Sequence, residues 1–263
     1  MKSLKLTLWI LFLLPAVCAY SQDDHYLAFD GADDYVPIQM QYSGTNAIGN
    51  LTVEAWIKTS FNGSSYSDNW AIIDFDRSDF YNVYVRGDNG HLGFSTYAGG
   101  IDDFQGTISL NDGEWHHVAA VYDGVNKYIY VDGVLDATAA NPHSGAALGK
   151  STTRFGIIGD GSEATSYNGS RNNRYYDGSI SELRIWHSVK TDTELQTNMV
   201  RNSLNGTEPG LEAYYTFNNG LVTDLTGNGQ TTHQFRFSHR SYRFLVTTVG
   251  SSLRHGCYKT RTR

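Results

Sequence analysis

Residues 111–133 read Asn-Asp-Gly-Glu-Trp-His-His-Val-Ala-Ala-Val-Tyr-Asp-Gly-Val-Asn-Lys-Tyr-Ile-Tyr-Val-Asp-Gly. No other stretch limits the possible folds of this chain so strongly. Trp115–Tyr122 is expected as one strand, Asp123-Gly124 as a turn, and Lys127–Val131 as a second strand closed by Asp132-Gly133. Asp-Gly between runs rich in β-branched and aromatic residues is a strong local hairpin signal, because both positions tolerate positive φ. A chain that forms a hairpin here is committed to antiparallel pairing.

The rest of the sequence follows the same grammar. Leu51–Lys58 alternates with period two: Leu51, Val53, Ala55 and Ile57 face one way, Thr52, Glu54, Trp56 and Lys58 the other. Further strands are expected at 70–75, 81–86, 92–97, 107–110, 155–158, 180–186 and 211–217, separated by Gly, Asn and Asp turns. Strands at this spacing without alternating helices predict an all-β fold, a two-sheet antiparallel jelly-roll sandwich. One short helix is expected near 191–200, where Thr191-Asp-Thr-Glu194 forms a capping box ahead of Leu195, Met199 and Val200. Residues 159–178, rich in Gly, Ser, Asn and Arg, read as a long surface loop of the kind that carries binding residues.

Both ends differ from this core. Lys2 and Lys5 precede an apolar run from Leu6 to Leu14, and Ala19-Tyr20-Ser21 supplies small residues for cleavage, so residues 1–21 read as a signal peptide. The run is too short for a dedicated membrane span. Export to the extracellular space or periplasm is therefore expected, and with Cys18 leaving, Cys257 would be the sole cysteine of the mature chain. A mature chain without disulfides suits a bacterial exported protein. From Gln234 to Arg263 there are seven Lys and Arg and no acid, whereas all 27 Asp and Glu lie earlier. Residues 23–233 are expected to be the domain, and 234–263 an atypical basic tail, read either as a frameshifted or truncated end or as a docking arm. The net charge of −7 argues against a nucleic-acid partner.

Five ordered blocks carry a family resemblance. They are Leu27-Ala-Phe-Asp-Gly-Ala-Asp-Asp-Tyr-Val, Leu51-Thr-Val-Glu-Ala-Trp-Ile-Lys, the 111–133 hairpin, Tyr176-Asp-Gly-Ser-Ile-Ser-Glu-Leu-Arg-Ile-Trp, and Gly210-Leu-Glu-Ala-Tyr-Tyr-Thr-Phe-Asn. Together they resemble the LamG-like (laminin G domain 3 type) jelly rolls of the concanavalin A-like lectin/glucanase superfamily. The resemblance implies a carbohydrate- or glycoprotein-binding module, and it implies that calcium sites of the kind common in such jelly rolls are worth seeking here.

Three chemistries are open on the residues. Asp30 and Asp33, with Asp34, cluster in one turn, and Asp177 begins a strand expected nearby. Such carboxylates suit Ca²⁺, or else cap backbone amides. Sugar recognition needs rings for C–H faces and polar groups for hydroxyls, and Trp70, Asp76, Tyr84, Arg86 and Tyr97 offer that mixture. Tyr81 lies on the face opposite Tyr84, so at most one of the two reaches the same groove. For glycoside hydrolysis the nearest thing to a carboxylate pair is Asp74 and Asp76, expected on the face of Trp70 and Ile72; the simpler reading is an Asp-rich turn. His116 and His117 point to opposite faces and cannot share one metal. Ser181-Glu-Leu-Arg184 echoes a lyase motif but sits in a strand of the fold. The expected function is therefore a secreted binding module without catalysis. The alternatives are a glycan-cleaving enzyme of the same superfamily, or an adhesion or scaffold fragment of a larger surface protein. The sequence does not indicate an oligomeric state.

Overall fold

The computed structural model describes residues 26–228, apart from 46, 66–69, 144 and 218–221, and four short strands between 242 and 259. The expected signal peptide lies outside the described residues. Thirteen strands and one helix build the sandwich. In chain order they are β1 (Leu27–Asp30), β2 (Val36–Tyr42), β3 (Leu51–Lys58), β4 (Trp70–Asp74), β5 (Tyr81–Val85), β6 (His91–Tyr97), β7 (Ile101–Ser109), β8 (Trp115–Tyr122), β9 (Asn126–Val131), β10 (Val134–Ala140), β11 (Arg154–Ile158), β12 (Asp177–Trp186), α1 (Asp192–Asn198) and β13 (Leu211–Tyr215).

Two antiparallel sheets result. One runs β1-β12-β3-β8-β9-β10 with β13 also paired to β12; the other runs β2-β11-β4-β5-β6-β7. The expected all-β two-sheet sandwich is what forms. In the tail, 242–244 pairs with 257–259 and 247–249 with 252–254, and neither pair joins the main sheets.

The alternation in β3 explains why the sheets close on each other. Leu51, Val53, Ala55 and Ile57 enter the core between the sheets, with Val118, Ala120 and Tyr122 of β8 and Ile129 and Val131 of β9. Each large apolar side chain buried there contributes about 1.5–3 kcal/mol. The second face of β8 is buried as well. Ala119 and Val121 pack with Tyr130 and with Leu195 of α1, so the helix covers the outer face of the seven-stranded sheet. The expected capping box forms at Thr191 and Glu194. Of the expected apolar stripe, Leu195 is buried but Val200 is 63% exposed, because the helix ends before it.

The central hairpin departs from expectation at its first turn. Residues 123–125 form a three-residue connection in which Asp123 Oδ1 accepts from the Val125 and Asn126 amides, with Gly124 at φ +91°. The second turn, Asp132-Gly133, has positive φ at both positions and joins β9 tightly to β10.

Beneath α1 lies a cluster of buried charge. Glu54, Glu182, Arg184 and His117 are each no more than 1% exposed. Arg184 donates to Glu182 at 2.5 Å and to the Asn198 carbonyl at 2.7 Å, and its guanidinium lies 3.7 Å from Glu54. Glu54 Oε1 also accepts from Trp186 Nε1 and Asn198 Nδ2. His117 Nε2 approaches Glu54 Oε2 to 3.2 Å, close but out of hydrogen-bond alignment. Burial pushes the Glu54 carboxyl up, but His117 and Arg184 outweigh it and hold the group below the ordinary range. Glu182 sits at φ +53°, where a bulge lets β12 gain one residue on β3. The Ser181–Arg184 motif is thus absorbed into the fold, and His117 packs beside Glu54 and the Trp56 ring. His116 faces the other way, between Asp112 and Asp132.

Candidate functional site

The outer face of the six-stranded sheet carries a polar cleft of about 230 Å³. It forms where β4 and β5 meet the loop 159–178. Asp74 and Asn82 form its floor, Asp76, Arg77 and Ser78 flank it, and Glu163, Asn172 and Arg174 come from the loop, with Ile101 at the edge.

A bulge in β4 creates the floor. Trp70 pairs with Val85 and Ala71 with Tyr84, but Ile73 pairs with Val83 and Asp74 with Asn82. Ile72 is therefore the extra residue, and both Ile72 and Ile73 join the core. The expected alternation placed Asp74 on the face of Trp70. The bulge reverses that phase, so Trp70 points into the core and Asp74 points out with Asn82.

Asp74 is 1% exposed. One oxygen accepts from the Asp76 amide at 2.5 Å and the other from Asn82 Nδ2 at 3.3 Å. Burial pushes its carboxyl up to about 7; the Asp76 amide works against this, the Asp76 charge adds to it, and the Arg174 charge opposes it. Asn82 Oδ1 is buried and has no hydrogen-bond partner. The floor therefore presents an acceptor that lacks a donor, beside a carboxyl that titrates near neutrality.

Asp76 plays a different part. Its φ is +62°, a conformation that a short polar side chain tolerates. Oδ1 accepts from the Ser78 amide and hydroxyl, and Oδ2 from Arg154 at 2.9 Å. Arg154 also binds Asp79 at 2.6 Å, and Lys150 reaches Asp79 at 3.2 Å. Both oxygens of Asp76 are thus committed to holding the turn. Arg77 is likewise committed, donating to both oxygens of Asp103.

The loop wall is anchored from within. Asp160, fully buried, accepts from the Gly161 and Arg174 amides at 2.6 Å each, and Arg171 approaches its other oxygen at 3.4 Å. Burial pushes this carboxyl up to about 6. The Arg174 carbonyl accepts from the Ala71 amide, tying the loop to β4. Arg171 stacks on Tyr35 at 3.5 Å. The expected binding loop is therefore pinned at several points, and it presents Asn172 and Arg174 to the cleft.

Of the residues singled out from sequence, the cleft gathers Asp74 and Asp76. Trp70, 8% exposed, packs its ring 4.2 Å from that of Phe61. Tyr84 shares the outer face, but its ring lies against Gly93, where even a Cβ would approach within 2.3 Å, and its hydroxyl contacts Ser95. Arg86 is locked to Asp88. Tyr97 is half-buried beneath Lys150. Tyr81 is in the core, on the opposite face from Tyr84 as alternation requires. Sequence reasoning missed Asn82, Asn172 and Arg174. Asn82 could have been found, since it lies two residues before Tyr84 and so on the same face.

A second cluster lies in the turn after β1. Carboxylate oxygens of Asp30, Asp33 and Asp34 come within 4.8 Å of one another, the one group of this kind among the described residues. Asp177 pairs with Asp30 across the ladder, and its side chain lies against Gly31. Asp34 Oδ2 accepts from the Asp30 amide and Asp30 Oδ1 from that of Ala32, so capping is also served. Burial, then the Asp30 and Asp33 charges, push the Asp34 carboxyl up to about 6.

A family model described as the concanavalin A-like lectin/glucanases superfamily (Laminin_G_3) matches residues 30–196, more than half of the chain. Among solved structures, a candidate carbohydrate-binding protein from Bacteroides ovatus superposes with TM-score 0.55 at 23% identity, covering 74% of this chain and 54% of that one. The chain thus spans about half the length of that protein. The heptameric SAP-like pentraxin of Limulus polyphemus superposes with TM-score 0.50 at 19% identity, covering 68% and 83%. At these identities the likeness establishes the fold. No curated protein matches the chain.

Proposed function

This chain belongs to the concanavalin A-like lectin/glucanases superfamily, and on that premise we propose that it is an exported glycan- or glycoprotein-binding module whose site is the cleft on the six-stranded sheet. One observation carries the reading. The strands β4 and β5, from the stretch expected to carry sugar-binding residues, meet the loop 159–178 at a pinned polar cleft whose floor holds a buried acceptor without a donor. A buried oxygen left unpaired costs about 1–3 kcal/mol, which a ligand hydroxyl would offset. The N-terminal basic and apolar segment supports export, and the candidate carbohydrate-binding protein of B. ovatus shares the fold.

Binding without catalysis is favoured by the state of Asp76. Both of its oxygens are tied to its own turn by Arg154 and Ser78, the role that the Asp-rich turn reading expects. A glycan array identifies the ligand. Titration calorimetry is then expected to show Arg174→Ala and Asn172→Ala each losing about tenfold in affinity, the worth of one strong hydrogen bond. Unchanged affinity in both variants, or no glycan bound, would remove the proposal. Release of reducing sugar that Asp76→Asn abolishes would instead establish the enzyme.

Calcium belongs to the same proposal. The hard oxygens of Asp30, Asp33 and Asp34 fit Ca²⁺ in type and spacing, with Asp177 adjacent, and the Asp30 and Asp33 charges that add to burial in raising Asp34 are what a dication would offset. Bound calcium would brace the turn between β1 and β2. Thermal melts with excess Ca²⁺ and with EGTA are expected to differ, by about 2.7 kcal/mol at 100-fold over Kd, and Asp34→Asn is expected to erase the difference. Superimposable wild-type melts would refute the site.

A further inference from the structure

We infer that the cleft seats a single neutral sugar residue at the end of a glycan, rather than an internal stretch of a chain. This rests on the cleft being the glycan site.

Size is the first argument. At about 230 Å³ the cleft is small beside the ~300–1,000 Å³ of ordinary ligand pockets.

The lining is the second. No aromatic ring borders the cleft among the described residues, so there is no platform on which successive sugars could stack. The one apolar surface is Ile101, 45% exposed, enough for the C–H face of one ring. Recognition must then come from hydrogen bonds to one residue. The floor offers acceptors, Asn82 Oδ1 and Asp74, while the loop offers donors on Arg174 and Asn172. A hydroxyl donates and accepts at once, so neighbouring hydroxyls of one ring can bridge floor to loop.

Charge is the third. Asp76 is matched by Arg154 and Arg77 by Asp103, while Arg174 offsets Asp74. An acidic sugar would bring a further negative charge among Asp74, Asp76 and Glu163, with Arg174 the one cleft cation outside an ion pair among the described residues to receive it. A neutral ring brings none.

The test uses the full chain and calorimetry against methyl glycosides of the common neutral hexoses, pentoses and N-acetylhexosamines. Each is compared with its oligomers of two to six residues and with the corresponding uronic acid. The expected result is one monosaccharide glycoside that binds within about threefold of its own hexamer, with the uronic acid weaker than the neutral sugar. Ile101→Ala is expected to weaken monosaccharide and hexamer by the same factor, since both use the same single contact. Affinity climbing more than about tenfold from one residue to four, while Arg174→Ala still removes binding, would overturn the single-residue inference and leave the cleft as the glycan site. Binding of every probe untouched by Arg174→Ala, or no binding at all, would defeat the functional proposal itself.

Discussion

Replacing Arg184 with Met is expected to destabilise the fold by about 3–5 kcal/mol, the usual cost of breaking a buried ion pair from one side. The Arg184 guanidinium is fully buried and supplies the cation for Glu54 and Glu182, besides bonding the Asn198 carbonyl at the end of α1. Removing it strands two carboxylates under the helix. At about 2–4 °C per kcal/mol for a domain of this size, the melting temperature should fall by on the order of 10 °C. The pH dependence supplies a signature. In the wild type Glu54 is held below its ordinary range, so its contribution is present above the unfolded pKa and lost as pH falls through the folded one. Without Arg184 the influence of burial on Glu54 is opposed by less, its pKa rises, and the variant gains less stability than the wild type as that group ionises. The gap between the two proteins should therefore widen from pH 4.5 to pH 8. Urea denaturation at both values checks this, and a penalty below about 1 kcal/mol at pH 8 would mean the cluster contributes only what a surface pair does.

The second large effect has the opposite sign. Asp74→Asn is expected to stabilise the protein at pH 8 by about 2–4 kcal/mol, while the two proteins should be close at pH 4. Asp74 has a folded pKa near 7 against an ordinary 3.8. A raised carboxyl contributes stability below its unfolded pKa and loses it as pH rises through the folded one, here between about 4 and 7. The amide carries no charge and does not suffer that loss. It can still accept from the Asp76 amide, and, once the Asn82 amide turns over, its NH₂ can donate to the Asn82 oxygen, which leaves the Asn82 NH₂ in place of the oxygen. A buried carboxylate that weakens the fold at neutral pH is the pattern expected where function is maintained at a cost in stability. The variant should accordingly bind glycan more weakly while melting higher. Lower stability at both pH values would show instead that the carboxylate is a structural anchor of the β4 bulge.

Much of the fold could be read from local rules. Period two marks β3 as a strand although its partners β8 and β12 are distant, the Asp-Gly turns specify β8, β9 and β10, whose pairings are local, and the capping box at Thr191 placed α1 correctly. The site was only half legible, and the reason lies in one residue. The bulge at Ile72 comes from how β4 registers on β5, which no local pattern encodes, and it moves Trp70 inward and Asp74 outward. The aromatic residues expected to greet a sugar were consumed by packing: Tyr84 on Gly93, Trp70 on Phe61, Tyr97 beneath Lys150. Long-range anchoring likewise hid Arg174, whose place depends on Asp160 and on a hydrogen bond to Ala71. What composition did reveal was the segment, since 159–178 stood out as a loop able to form one wall.

The central claim is that a sugar ring occupies the cleft over β4 and β5. A crystal structure of the chain with the sugar chosen by array and calorimetry tests it most directly. The account predicts one ring in the cleft, with a hydroxyl about 2.6–3.2 Å from Asn82 Oδ1 and the Arg174 guanidinium closing over another. A sugar bound instead at the Asp30 turn or on the seven-stranded sheet, with only water over Asn82, would contradict it.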